Sequence, residues 1–144
     1  MRVWRISNHA DLTGVGGLRA AGRWNHRGDR IVYCSDHPST AVLEVLVHFE
    51  AEDLPRTYQL VEIDIPDDIA PLAPPLADDW RDRFEFTRDT WREIVRRNQA
   101  AVVIVPSVIM PFTRNVLLNP SHADHGRVTV KGHSRHLLDQ RFLR

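Results

Sequence analysis

The hydrophobic and polar positions along the chain form short runs, most of which have the length and composition of β-strands. β-branched and other apolar residues fill these runs, and glycine, proline or serine interrupts the chain between them. The run 100–105 is apolar throughout and ends at Pro106, which is typical of a strand buried on both faces. The segments that predict strands are 3–7, 30–34, 58–65, 100–105, 116–118 and 127–130.

Two longer segments have the features of helices. Segment 38–49 contains no helix breaker, begins with a proline that suits a first helical turn, and follows the capping residue types Ser35 and Asp36. Segment 87–99 places its apolar residues on one face, which predicts an amphipathic helix. The glycine-rich stretch 13–17 predicts a loop rather than a regular element.

Composition and charge are those of an ordinary soluble globular protein. The mixture of elements has no internal repeat and predicts one α+β domain over residues 1–144. The 19 basic and 19 acidic residues cancel. The chain therefore lacks the long-range positive field that an autonomous nucleic-acid-binding protein uses.

Cysteine content and the N-terminal residues bear on the compartment. Cys34 is the single cysteine, which excludes an internal disulfide and a thiolate-rich zinc site and fits a reducing environment. The first residues lack the apolar core of an export signal, and no apolar run approaches the ~18 residues that span a bilayer. We therefore expect a cytoplasmic protein.

Segment 20–28 places Arg23, Trp24 and Asn25 in a loop flanked by glycines. An arginine held by such a loop can present its planar guanidinium bidentately to a phosphate or carboxylate, and a following aromatic residue restricts the loop. Loop arginines also form simple surface ion pairs. By itself, Arg23 fits both a ligand-binding and a purely structural role.

A glutamate, Glu44, lies among the apolar residues of the predicted helix 38–49. Glutamates are rarely buried without a partner, so Glu44 either marks the solvent side of this helix or points into a polar pocket. His48 follows one turn later on the same face, and Tyr33 precedes the helix on a predicted strand. The pattern leaves both interpretations of Glu44 open.

A serine, Ser107, follows the apolar run that predicts a buried strand. The end of a strand is a usual position for a ligand-contacting hydroxyl, but a serine after proline is also a common turn former or cap. No Gly-x-Ser-x-Gly pattern surrounds Ser107, so it does not have the setting of a hydrolase nucleophile.

Taken together, these segments resemble the RES-domain family, toxins that are named for an arginine, a glutamate and a serine and are paired with Xre-type antitoxins. The resemblance covers nearly the whole chain and depends on the order and spacing of several segments. The family's arginine corresponds to Arg23, its strand tyrosine to Tyr33, its glutamate to Glu44 and its serine to Ser107. The segments that carry the resemblance are 3–5, 22–25, 32–35, 41–46, 105–107 and 115–122.

The resemblance implies an ADP-ribosyltransferase-like fold, in which NAD lies in a cleft between two small sheets. It also implies that the enzyme cleaves the bond between nicotinamide and ribose. Nicotinamide in NAD is already cationic, so it can leave without a general acid, and the barrier lies in forming an oxocarbenium-like ribose. This chemistry requires no metal.

The same resemblance implies a role for each matched residue. Glu44 would accept a hydrogen bond from the ribose 2′-hydroxyl and stabilise the developing positive charge, and Tyr33 would stack on the nicotinamide ring. Arg23 would hold the pyrophosphate or the nearby ribose, and Ser107 would bond near the nicotinamide ribose. The implied NAD-binding set is Arg23, Asn25, Tyr33, Glu44, Ser107 and Asn119.

In biological terms, the resemblance implies the toxin of a bacterial type II toxin–antitoxin system. Hydrolysis or phosphorolysis of free NAD is the favoured outcome, and ADP-ribosylation of a protein is the alternative within the same fold. An enzyme that exhausts NAD must be restrained, so we expect an Xre-type antitoxin that blocks the cleft, in an oligomeric toxin–antitoxin complex.

Other classes of function remain open at this point. Four histidines, His122, His125, His133 and His136, suggest a metal site, although a matching set of carboxylates and thiolates is missing. A ribonuclease toxin could use His26, His48 or His122 together with arginines. A non-enzymatic binding module would neither bind nor turn over NAD.

Overall fold

A computed structural model describes residues 1–143 and contains six strands and three α-helices. Arg144, the last residue of the predicted domain, lies outside the described residues. Four short 3-10 helices, 51–53, 80–82, 123–127 and 140–143, lie in the connections. The strands are β1 Arg2–Ile6, β2 Val32–Ser35, β3 Thr57–Asp64, β4 Val102–Pro106, β5 Arg114–Leu118 and β6 Thr129–Leu137. The α-helices are α1 Gly16–Arg19, α2 Pro38–Leu46 and α3 Phe84–Arg96.

The six strands form one sheet in the order β4-β5-β2-β1-β3-β6. Every pair of neighbouring strands is antiparallel. The two central strands, β1 and β2, share only the pair Trp4↔Ser35, whereas β1 and β3 share five pairs from Arg2↔Asp64 to Ile6↔Leu60. The expectation of two separate small sheets is replaced by one sheet that is weakly joined at its centre. The α+β class itself is confirmed.

The sheet separates two cores, because strands β4 and β5 send alternate side chains to opposite faces. Val116 and Leu118 of β5 pack in one core with Val3 and Val61. Leu117, between them, packs in the other core with Trp91 of α3. In β4, Val102 packs in the first core and Val103 and Val105 pack in the second, which confirms the prediction that the run 100–105 holds a strand buried on both faces.

Helices α2 and α3 cover the same face of the sheet. Leu117, which contacts α3, is the register partner of Tyr33, so the two side chains share a face. Trp4, paired with Ser35 two residues further along β2, lies on that face as well. The Trp4 ring is 6.3 Å from the ring of His37, the N-cap of α2.

The helix boundaries differ by a few residues from those that the sequence predicts. Helix α2 begins at Pro38, as expected, but its cap is His37, whose Nδ1 accepts the backbone N–H of Ser39, and the helix ends at Leu46. Helix α3 begins three residues before the predicted position, at Phe84. The prediction of a loop over 13–17 misses the short helix α1. None of the helices within residues 1–143 has the length and apolar character to cross a membrane.

Candidate active site

A cleft of about 490 Å³ opens on the helix-covered face, above the centre of the sheet. Strands β1 and β2 meet there, α2 forms one wall, and the loop before β2 forms the other. This volume falls within the range of small-molecule sites. The cleft is lined by both polar and apolar side chains, among them Arg23, Tyr33, Glu44, His48, Ile109 and Asn115.

Glu44 is half-buried on the inner side of α2. It lies one turn after Thr40 and Ala41, the buried residues of that helix, and therefore on the same face as they do. Glu44 does not mark the solvent side of the helix. Its Oε1 accepts hydrogen bonds from Ser107 Oγ and Asn115 Nδ2, each at 2.7 Å. Within residues 1–143, Oε2 of this cleft-lining side chain has no hydrogen-bond partner. One carboxylate oxygen is thus anchored and the other remains for a ligand.

Ser107 lies in the loop between β4 and β5, with 3% of its surface exposed. Its Oγ accepts the backbone N–H groups of Ile109 and Met110, both at 3.1 Å, and donates to Glu44. The turn-forming role considered from the sequence is therefore confirmed, and the hydroxyl contacts the glutamate rather than lining the cleft. With both lone pairs engaged, the hydroxyl hydrogen is directed at Glu44.

Tyr33 connects the floor of the cleft to the loop 22–25. Its hydroxyl accepts the N–H of Trp24 at 3.0 Å and donates to Asn25 Oδ1 at 2.7 Å. The side chain is 36% exposed, yet burial of its hydroxyl raises the pKa of Tyr33 above its ordinary value. The two observations concern different parts of the side chain. The ring lines the cleft, whereas the hydroxyl is enclosed and stays neutral.

Asn25 is 1% exposed and all of its polar atoms are used within the protein. Its Oδ1 accepts from Gly22 N–H and Tyr33, and its Nδ2 lies within hydrogen-bond distance of the carbonyls of Gly17, Ala20 and His26. The structure therefore places Asn25 at the wall of the cleft, where it holds the shape of the loop.

Gly22 has no room for a side chain, because an added Cβ would lie 2.5 Å from the Tyr33 hydroxyl. Helix α3 fixes the same loop from the other side. Thr87 Oγ1 donates to the carbonyl of Arg23 at 2.5 Å, and Arg88 Nε donates to the carbonyl of Gly22 at 2.8 Å. The loop that carries Arg23 is thus held by both β2 and α3.

Arg23 lines the cleft and is half-buried. Its guanidinium carbon lies 4.6 Å from the centre of the Phe84 ring, and its Nη1 donates to the carbonyl of Arg81 at 2.7 Å. No carboxylate within residues 1–143 forms an ion pair with Arg23, so its charge is not neutralised by the surface ion pair that the sequence left open. The remaining guanidinium N–H groups can serve an anionic ligand.

Ser107 contacts the cleft-lining Glu44 without lining the cleft itself, and Asn119 lies away from the cleft. It is fully buried just after β5, where its Nδ2 donates to the carbonyl of Ala100 at 3.0 Å. Its Oδ1 accepts the N–H of Ser121 at 3.0 Å. The structure therefore places Arg23, Asn25, Tyr33 and Glu44 in the lining of the cleft, Ser107 in contact with Glu44, and Asn119 in a fully buried position at the end of β5.

A family profile described as the RES domain matches residues 2–139. The chain belongs to the RES family. A relative from Pseudomonas putida named Toxin Res is 44% identical over 125 residues, covering 85% of this chain and 86% of the relative. A second relative, from Sphingobium sp. (strain YBL2), is named Prs ADP-ribosylating toxin. It is 32% identical, and the match covers 98% of this chain and 96% of the relative.

A solved structure shares the fold of this RES protein. The crystal structure of the M. tuberculosis MbcT-MbcA toxin-antitoxin complex contains a chain that matches with a TM-score of 0.75. The match covers 94% of this chain and 84% of that chain, at 19% sequence identity. At that identity the likeness concerns the fold alone.

The histidines that suggested a metal site do not form a common group. His125 Nε2 contacts the carbonyl of Leu12, His122 caps a 3-10 helix, and His133 and His136 lie on β6. Among residues 1–143, the one cluster with metal-ligating geometry is His26, Glu85 and Asp89, whose ligand atoms lie within 4.8 Å of one another. His26 and Asp89 already contact each other at 2.6 Å, and none of the three lines the cleft.

Two further residues line this site, Asn115 and Ser35, and the sequence does not indicate a functional role for either. From the sequence, Ser35 is expected to cap α2, and Asn115 is expected only as part of segment 115–122, which carries the resemblance to the RES-domain family. The strand register sets them opposite each other, and Ser35 Oγ donates to Asn115 Oδ1 at 3.0 Å. No local sequence signal indicates this contact, because it depends on how β2 and β5 pair.

Proposed function

We propose that this RES protein is a toxin that cleaves the bond between nicotinamide and ribose in NAD. The observation that carries the proposal is Glu44, a carboxylate with one oxygen anchored and one free, in a cleft of about 490 Å³. The cleft also holds an aromatic ring and an arginine, as an aromatic cation joined to a pyrophosphate requires.

In the proposed reaction, the C1′–N bond of NAD breaks, and its electron pair leaves on the nicotinamide nitrogen, which becomes neutral. The ribose acquires oxocarbenium character, and the fixed negative charge of Glu44 stabilises it. An acceptor oxygen then bonds to C1′ and loses its proton to solvent. Preorganisation is the main contribution of the protein, because Glu44 is held by two hydrogen bonds before the substrate arrives.

The other residues orient the substrate. The exposed ring of Tyr33 stacks on nicotinamide, while its hydroxyl stays bound to the loop. Arg23 binds the pyrophosphate or the adjoining ribose. Ser107 contributes through the hydrogen bond that it donates to Glu44, close to the nicotinamide ribose. Asn25 keeps the loop of Arg23 in place.

The favoured acceptor is a small molecule, either water or inorganic phosphate, so that the product is free ADP-ribose or its 1-phosphate. Transfer to a protein side chain is the second candidate, and the name of the Sphingobium relative, an ADP-ribosylating toxin, favours it specifically. Both outcomes share the first bond cleavage and the same residues. They differ in what enters the cleft after nicotinamide has left.

A direct experiment separates these outcomes. The purified chain is incubated with NAD, with and without phosphate and with no protein acceptor, and free nicotinamide is measured. We expect release by the wild type and a loss of roughly 100-fold or more in Glu44→Gln, whose amide oxygen can still accept from Ser107 and Asn115. Release that requires an added protein would favour transfer to protein. RNA degradation that survives Glu44→Ala would instead favour a ribonuclease.

We further propose an antitoxin partner that covers this cleft in the cytoplasm. The support is that a toxin of the same fold was solved in a toxin-antitoxin complex. The resemblance to RES toxins implies an antitoxin of the Xre type and an oligomeric complex. Inhibition of nicotinamide release by the protein encoded next to the toxin, measured against the same enzyme alone, tests this partner.

A further inference from the structure

Asn115 and Ser35 extend the hydrogen bonds of Glu44 into the centre of the sheet. Asn115 is the second residue of β5 and pairs in register with Ser35, the last residue of β2. Asn115 Nδ2 donates to Glu44 Oε1 at 2.7 Å, and Ser35 Oγ donates to Asn115 Oδ1 at 3.0 Å. The three side chains therefore form a chain that runs from a buried hydroxyl to the cleft.

The direction of this chain follows from what each group can donate. An ionised carboxylate only accepts hydrogen bonds, so the Nδ2 side of the amide must face Glu44. The Oδ1 side then faces Ser35, which must donate its hydroxyl hydrogen. Ser35 is 3% exposed, so water has little access to replace it. Ser35 thus stabilises the one amide orientation that serves Glu44.

The second donor matters because one hydrogen bond does not fix a carboxylate. Ser107 alone would leave Glu44 free to turn about a single contact. Asn115 approaches the same Oε1 from strand β5 rather than from the loop of Ser107, and two fixed donors define both the position and the plane of the carboxylate. Productive geometry in active sites is held to about 0.5 Å, which requires supporting contacts of this kind.

We propose that Asn115 is a positioning residue for Glu44 and that Ser35 holds the Asn115 amide in the required orientation. This inference rests on the proposed function, since it assigns Glu44 to the cleavage of NAD. Asn115 acts through the carboxylate, so its loss should lower the rate of the chemical step and leave the affinity for NAD nearly unchanged.

Four variants test the proposal by steady-state release of nicotinamide. We expect Asn115→Ala to lower kcat about 10- to 100-fold, the usual effect of one hydrogen bond to a charged group, with KM changed by less than about 3-fold. Asn115→Asp keeps the shape but sets a second acceptor against Oε1, so its loss should exceed that of the alanine variant. Ser35→Ala should lose about 3- to 10-fold in kcat. In the double variant, Ser35→Ala should add no further loss to Asn115→Ala.

A matched control is Ser134→Ala on β6, whose hydroxyl bonds to the His136 ring and does not line the cleft, and which should keep the wild-type kcat. Circular dichroism and thermal unfolding show whether each variant folds, and Asn115→Asp and Ser35→Ala remain informative if the alanine variant does not.

Several results would overturn the inference. An unchanged kcat in folded Asn115→Ala, or a raised KM at constant kcat, would show that Asn115 does not act through Glu44. Additive losses in the double variant would show that Ser35 acts independently. A wild-type chain that releases no nicotinamide would contradict the proposed function itself, which is a distinct outcome.

Discussion

Replacing Tyr33 by phenylalanine tests how the cleft loop is held, because the change deletes one oxygen and keeps the ring. That oxygen accepts the N–H of Trp24 and donates to Asn25 Oδ1. Asn25 Oδ1 keeps its bond from Gly22 N–H, but the Trp24 amide loses its partner in a loop whose residues 24 and 25 are buried. An enclosed polar group left without a partner costs about 1 to 3 kcal/mol. For a chain of this size we expect Tm to fall by roughly 2 to 12 °C.

The pH dependence of stability gives this prediction a second, independent readout. Burial raises the pKa of Tyr33 above the ordinary value of 10.0, so the folded protein retains this proton to higher pH than the unfolded chain. Above about pH 10 the unfolded state binds fewer protons, and stability falls as pH rises. The contribution is fully present below that pH. Tyr33→Phe should remove this component of the alkaline decline.

The assay is urea unfolding of wild type and Tyr33→Phe between pH 8 and pH 11. We expect a constant difference in unfolding free energy up to about pH 10 and a smaller difference above it. Tyr33→Ala serves as the comparison for activity, because it also removes the ring that is proposed to stack on nicotinamide. Equal stability of wild type and Tyr33→Phe, or equal slopes at alkaline pH, would refute the argument.

Three further predictions concern the cleft. Gly22→Ala should destabilise the protein and raise KM for NAD, because the added Cβ would lie 2.5 Å from the Tyr33 hydroxyl. Differential scanning fluorimetry measures the stability and steady-state kinetics measure KM, and unchanged values would contradict the close packing. Arg23→Lys should raise KM for NAD about 10-fold or more while the fold is kept, because an ammonium group lacks the planar pair of donors; titration of NAD against Arg23→Lys checks this. Nicotinamide release should be unaffected by a chelator such as EDTA, since the proposed chemistry uses no metal; activity that EDTA abolishes and Mg²⁺ or Zn²⁺ restores would exclude that mechanism.

The pattern of apolar residues is sufficient to predict where most of the strands and helices lie. β-branched runs bounded by glycine and proline predict strands β1 to β5, since local sterics and alternate burial act over a few residues. The prediction of a strand over 127–130 overlaps β6 only at residues 129 and 130, because residues 131–137 are mostly polar and exposed and are ordered by their pairing with β3. The ends of helices are less well determined. The structure ends α2 at Leu46, and the sequence extends it to residue 49, because the last turn depends on packing rather than on a breaker.

Candidate site residues could be named from the sequence, but their partners could not. The resemblance to RES domains identifies Glu44 and Ser107, whereas the residue types alone leave each of them two interpretations. Their side chains are in contact at 2.7 Å although the residues are 63 positions apart in the sequence. This contact depends on the packing of α2 beside the β4–β5 loop. Asn115 has no local signal, and Asn119 carries an expectation of NAD binding that its fully buried position at the end of β5 does not support.

By itself, the sequence determined the approximate places of strands β1 to β5 and of helices α2 and α3, the balance of charge, and the family to which the chain belongs, because these depend on local pattern and on the order of motifs. Only the tertiary structure decided that the strands form one sheet joined at its centre by the pair Trp4↔Ser35, and that the cleft opens there. It also decided which oxygen of Glu44 is anchored. Strand register and side-chain direction are set by long-range pairing and core packing, which no short segment encodes.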